Sequence, residues 1–99
     1  MGQFTNKVAL VTGGSSGMGR ETAVAFAKEA AKVVVASRRR DEGRETIRLV
    51  REAGSDGLFV KTDVTKEADV RAAVEQAVAA FGRLDFAFNN AGFLLRSPT

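Results

Sequence analysis

A chain of 99 residues without cysteine or histidine forms no disulfides or thiolate metal sites, and zinc and imidazole catalysis are excluded with them. Its 44% hydrophobic and 27% charged content fits one small globular domain with a real but limited core. The formal charge of +3, at a pI near 9.8, is a mild basic excess held largely by Arg38-Arg39-Arg40 and Arg44, a run that is ordinarily just a solvated surface.

The chain opens with a short lead-in to Asn6. Lys7 to Thr12 carries the apolar run Val8 to Val11, which suits a strand covered on both faces. Glycines follow at 13, 14, 17 and 19, and from Met18 to about Ala30 the positions Ala23, Phe26, Ala27 and Ala30 recur at helical spacing. Ser15 or Ser16 is placed to cap that helix. Lys32 to Ser37, with Val33-Val34-Val35-Ala36, is a second buried strand. Asp41 caps a predicted helix to Ala53, stopped by Gly54, with Ile47, Val50 and Ala53 on its buried face. Leu58-Phe59-Val60 is a third strand leading to Asp63. Thr65 caps a predicted helix to Phe81, with Val70, Val74, Ala77, Val78 and Phe81 on one stripe and Gly82 as its C-cap. Leu84 to Asn89 is the fourth strand, followed by Asn90-Ala91-Gly92 and a polar end at Arg96 to Thr99.

Strands alternating with helices imply an α/β fold, with parallel strands joined by right-handed crossovers. A Rossmann-type doubly wound sheet places them in the order 3-2-1-4, with a ligand crevice at the carboxyl ends between strands 1 and 4. The glycine loop and Asn89-Asn90-Ala91-Gly92 then open onto one site. A strand feeding a glycine-rich turn that starts a helix holds phosphate through bare backbone N–H groups backed by the helix dipole.

The loop's spacing narrows the nucleotide. The triphosphatase loop needs G-x-x-x-x-G-K-[ST], and Gly14 to Glu21 presents Arg20 and Glu21 where a lysine and a hydroxyl are required. The pattern G-x-G-x-x-G fails because Gly17-x-Gly19 is followed by Thr22. What fits is T-G-x-x-x-G-x-G, as Thr12-Gly13-Gly14-Ser15-Ser16-Gly17-Met18-Gly19.

With Asp63-Val64 after the third strand and Asn89-Asn90-Ala91-Gly92 after the fourth, the chain resembles the short-chain dehydrogenase/reductase family over nearly its whole length. The resemblance implies that Gly13, Ser15, Ser16, Gly17, Met18 and Gly19 surround a cofactor pyrophosphate. Asp63 and Val64 flank adenine, and Asn90, Ala91 and Gly92 line the adenosine ribose. It further implies an oxidoreductase interconverting an alcohol and a carbonyl of a small-molecule substrate, in a homo-oligomer.

A carboxylate at the end of the second strand selects NAD, and an arginine there accommodates the 2′-phosphate of NADP. Ser37-Arg38-Arg39 stands at that point, so NADP is the expected cofactor, with Arg38 as the phosphate fork. Three arginines ahead of Asp41 also oppose the dipole of the following helix, a poor placement for stability alone.

The family's catalytic tyrosine has no counterpart, since the sequence contains no tyrosine. The resemblance therefore implies the N-terminal part of a longer enzyme, residues 1–99 belonging to one dinucleotide-binding domain and inactive alone. The fourth strand is then expected to expose an apolar edge with Leu84, Phe86 and Phe88. The reading from a different class is a nucleotide-binding half-domain without turnover. A nucleic-acid binder rests only on the arginine run and has no docking motif. With no apolar run near the ~18 residues of a membrane span and no signal pattern, a cytoplasmic location without a membrane partner is expected.

Overall fold

A computed structural model describes residues 2–13 and 17–89. Within them the elements run β1 (Val8–Thr12), α1 (Gly17–Lys28), β2 (Lys32–Ser37), α2 (Arg40–Glu52), β3 (Gly57–Lys61), α3 (Glu67–Phe81) and β4 (Phe86–Asn89). All strand pairs are parallel, and the sheet order is β3-β2-β1-β4, as the alternation of elements predicts.

The β-branched runs of β1 and β2 occupy the centre because both faces of the sheet are covered. Val8, Leu10, Val34, Ala36 and Val60 point toward α3 and meet Ala73 and Ala77. Val11, Val33 and Val35 point the other way and meet Ala23 and Ala27 of α1 and Ile47 and Val50 of α2. Alternation along each strand thus feeds two separate apolar layers, and neither face tolerates a polar run.

The helix ends depart from the predicted caps. The N-cap of α2 is Arg39 and that of α3 is Lys66, and neither gives a side-chain cap hydrogen bond. Asp41 lies inside the first turn of α2, beside Glu42, where its charge complements the dipole. Thr65 precedes the α3 N-cap, and its N–H and hydroxyl donate to Asp63 Oδ1 at 3.0 and 2.6 Å. Asp63 therefore uses Thr65 to build a turn, which removes Thr65 from capping.

Two further differences have local causes. Helix α1 stops at Lys28 because Ala30 turns into the left-handed region at φ 71°, and the Ala31 N–H folds back to the Phe26 carbonyl at 3.1 Å. Val78 is 43% exposed, because α3 lies on the sheet through Ala73 and Ala77, with Val74 and Phe81 at the flank. Gly82 ends α3 as predicted, at φ 83°, with its N–H on the Val78 carbonyl.

The fourth strand starts at Phe86 because Asp85 is occupied with the start of β1. Its Oδ2 accepts the Val8 N–H at 2.9 Å and its own N–H donates to the Val8 carbonyl at 2.9 Å. Arg83 grips the same carboxylate at 2.8–3.1 Å. On the α1 side, Phe86 stacks with Phe26 at 5.5 Å and meets Phe4 of the lead-in in a tilted pair at 5.1 Å between ring centroids. Leu84 packs against the α3-side cluster. Of the expected apolar edge, Phe88 is the residue left exposed.

Two predictions follow from this packing. A Cβ added at Gly57 would stand 2.7 Å from the Val33 carbonyl oxygen and 2.9 Å from Ile47 Cδ1. A carbonyl held in the sheet cannot swing aside, so Gly57→Ala costs about 1–3 kcal/mol despite replacing a glycine in a strand, read as a lower urea midpoint at unchanged slope. The second concerns Asp85, whose carboxyl is held below the ordinary range first by the Arg83 guanidinium and then by the Val8 N–H. A depressed folded value means that the stabilisation is complete above the unfolded pKa of about 3.9 and is lost as pH falls through the folded value beneath it. Asp85→Asn therefore melts below the wild type at neutral pH, and the gap closes in melts taken below about pH 4.

Candidate cofactor site

The carboxyl ends of β1, β2 and β3 stop level with one another because the ladder runs one bond past the strands. The Gly13 N–H donates to the Ala36 carbonyl at 2.9 Å, and the Thr62 N–H donates to the Ser37 carbonyl at 2.8 Å. Gly13 then turns away at φ 68°, a conformation that glycine adopts without strain. Between these ends lies a cleft of about 510 Å³ lined by Gly13, Ser37, Arg38, Arg39, Thr62 and Val64. Its size falls in the range of small-molecule and cofactor pockets.

Ser37 is buried, and its Oγ accepts the Arg39 N–H at 3.0 Å, closing the turn between β2 and α2. That turn separates two neighbouring arginines. Arg39 reaches along α2 to Glu42, pairing at 3.1 Å on the surface. Arg38 is exposed at the cleft and pairs with no carboxylate among the described residues. Its charge is felt at Asp63, whose carboxyl is held below the ordinary range by the Thr65 hydroxyl first, then the Thr65 N–H, and more weakly by Arg38 and Lys66. The Asp63 N–H is itself fixed by Asp69 Oδ2 at 3.0 Å.

The helix starts differ in charge. Helices α2 and α3 carry Asp41 and Glu42, and Glu67 and Asp69, in their first turns, whereas α1 carries no acid there. Among the described residues no acid of its own first turn therefore offsets the positive end of α1, which suits an anion site. The helix begins at Gly17, at φ 56°, where an added Cβ would meet nothing within 4 Å. Met18 is 69% exposed beside it, and Gly19 is buried.

The structure thus brings Gly13, Ser37, Arg38, Arg39 and Val64 to one cleft, with Asp63 between two of its lining positions. Gly17, Met18 and Gly19 stand on the first turn of α1 and are not among the cleft's lining residues. The expectations for Ser15, Ser16, Asn90, Ala91 and Gly92 lie outside the described residues. Asn89, where β4 ends, is in register with Thr12, where β1 ends. Thr62 lines the cleft although the sequence reading passed over it. A lone threonine between Lys61 and Asp63 carries no signal until the ladder bond to Ser37 is known.

The sequence and the fold recur in known proteins. The family described as short chain dehydrogenase matches the chain over residues 7–99. A 3beta-hydroxysteroid dehydrogenase of Mediterraneibacter gnavus is 41% identical over 99 residues, which are 100% of this chain and 36% of that protein. Among solved structures, NAD+-bound xylitol dehydrogenase superposes with a TM-score of 0.86 at 36% identity, covering 92% of this chain and 35% of that one. An actinorhodin polyketide ketoreductase with NADPH superposes with a TM-score of 0.82 at 37% identity, covering 92% of this chain and 34% of that one. The chain spans little more than a third of the length of these relatives. Among the described residues no helix is long and apolar enough to cross a membrane. With its motifs, its strand order and its family match in agreement, the chain belongs to the short-chain dehydrogenase/reductase family of oxidoreductases.

Proposed function

We propose that these residues form the N-terminal part of one dinucleotide-binding domain in an NADP(H)-dependent oxidoreductase that interconverts an alcohol and a carbonyl of a small molecule. When bound, the nicotinamide supplies the hydride donor or acceptor. The residues present here serve the adenosine end. The glycine turn from Gly13 to Gly19, with Ser15, Ser16 and Met18, receives the pyrophosphate at the acid-free start of α1. Asp63 and Val64 flank the adenine, and Asn90, Ala91 and Gly92 serve its ribose.

The observation that carries the choice of cofactor is Arg38, exposed at the cleft, unpaired with any carboxylate among the described residues, and next to a serine where an NAD site keeps an acid. The guanidinium offers two parallel donors to a 2′-phosphate, and Ser37 adds a hydroxyl. Arg39 supports the site through its backbone N–H on Ser37 Oγ, since its guanidinium is engaged by Glu42. The solved relatives hold NAD+ in one case and NADPH in another, so family membership leaves the choice to this turn.

The test is a titration of the full-length protein with NADPH and NADH. The expected preference for NADPH is on the order of ten- to a hundredfold, the worth of charge-assisted hydrogen bonds to one phosphate. Arg38→Asp is expected to abolish or invert it. Equal binding of the two cofactors by the wild type, or a preference unchanged by Arg38→Asp, overturns the reading.

A further inference from the structure

Arg20 follows directly on Gly19, yet its side chain is half-buried and turned toward α2 rather than left in solvent. Its Nε donates to Thr46 Oγ1 at 3.0 Å and its Nη2 donates to the Glu42 carbonyl at 3.2 Å. The Thr46 hydroxyl donates to the same carbonyl at 3.2 Å, and Thr46 is fully buried. A rigid, two-pronged guanidinium therefore joins the helix that carries the glycine turn to the first turns of the helix that follows Arg38.

Helix α2 lacks the usual device for fixing where it starts. Its N-cap, Arg39, makes no side-chain cap hydrogen bond. The surface pair between Arg39 and Glu42 ties the first turn only to its own cap residue and, being exposed, contributes little. From other elements this turn is reached by the Phe59 ring of β3, packed against Gly43, and by the hydrogen bonds of Arg20. Stability alone gives little reason for a cation near a helix N-terminus, where it opposes the dipole. A reason appears once the two ends of the cofactor site are considered together. The pyrophosphate is received on α1 and the 2′-phosphate at the β2–α2 turn, and a dinucleotide's own geometry sets the span between them.

We propose that Arg20 is a positioning residue that holds the β2–α2 turn, with Ser37 and Arg38, at the span from the glycine turn that a 2′-phosphorylated adenosine requires. Binding groups of this kind lose their worth when misplaced by as little as about 0.5 Å. The inference rests on the NADP(H) reading above. It differs from a direct role for the Arg20 charge, because its partner Thr46 carries no charge and is not among the cleft's lining residues.

The experiment is calorimetric titration of the full-length protein with two adenosine probes, 2′,5′-ADP and 5′-AMP. The wild type is expected to favour 2′,5′-ADP. Thr46→Val, which removes the hydroxyl and leaves Arg20 in place, is expected to cut that preference by about three- to tenfold with 5′-AMP binding little changed, and Arg20→Lys to do the same. Thr46→Ser, which restores the hydroxyl, is expected to behave as the wild type. If Thr46→Val does not fold, Arg20→Lys, which keeps the charge and the aliphatic stem, decides the matter. Equal weakening of both probes overturns the proposal, as does an unchanged ratio in Arg20→Lys or in a folded Thr46→Val. A wild type that binds the two probes equally overturns the NADP(H) reading itself, before any variant is compared, and the positioning role falls with it.

Discussion

The site depends on the parallel ladder running one bond beyond the strands. Gly13 to Ala36 and Thr62 to Ser37 are ordinary backbone hydrogen bonds, but they make three strands end at one level. Without them the turns after β1, β2 and β3 would leave the sheet at different heights and the cleft would not close around a single ligand. The constraint is enforced from within, because β1 and β2 are buried on both faces and a slip of one residue would send every side chain to the wrong layer. The core thus does more than stabilise the fold, since its packing sets where the polar ends stand. Asp85 applies the same control at the opposite end of the sheet, anchoring β4 to the start of β1.

Charge is distributed to suit this geometry. Acids fill the first turns of α2 and α3, where the dipole rewards them, and they are absent from the first turn of α1. An acid there would stabilise the helix by a few tenths of a kcal/mol to about 1 kcal/mol and would repel a phosphate. The basic residues divide in the same manner. Arg48 and Arg51 are taken up in surface pairs with Glu45, Glu52 and Asp56 along α2, whereas Arg38 at the cleft meets no carboxylate among the described residues. A net charge of +3 spread over the chain would say little, but its placement separates the cleft's arginine from the paired surface ones.

Much of this was legible in the sequence, for a physical reason. Four apolar residues in a row in β1 and three valines in β2 are incompatible with a half-exposed sheet, so parallel topology and the strand order followed from composition and alternation. The helix starts were misread because capping is decided by local hydrogen bonds that compete. Asp63 took the Thr65 N–H and hydroxyl for its own turn, and the helix began later. Val78 was misplaced because a stripe of helical period is wide enough to include it, and only the docking of Ala73 and Ala77 on the sheet decides which edge faces water. Of the site, the residues at strand ends were readable because topology alone brings them together. Thr62 was not, since its importance lies in a backbone bond that any residue other than proline could make.

Arg38 and Arg39 show why residue type does not determine role. They are adjacent, both exposed and chemically identical, yet the turn closed by the Arg39 N–H on Ser37 Oγ separates them. Arg39 becomes the last residue before a helix, and its side chain finds Glu42 three positions on, as the helical repeat dictates. Arg38 sits one residue earlier, just past the end of β2, where its charge helps to hold the Asp63 carboxyl below the ordinary range. The turn that distributes the two arginines is itself held from α1 by Arg20 through Glu42 and Thr46. The glycine turn and the arginine turn are thus joined twice, once through the sheet and once through the helices above it. A cofactor that must touch both requires that their separation be fixed from more than one side.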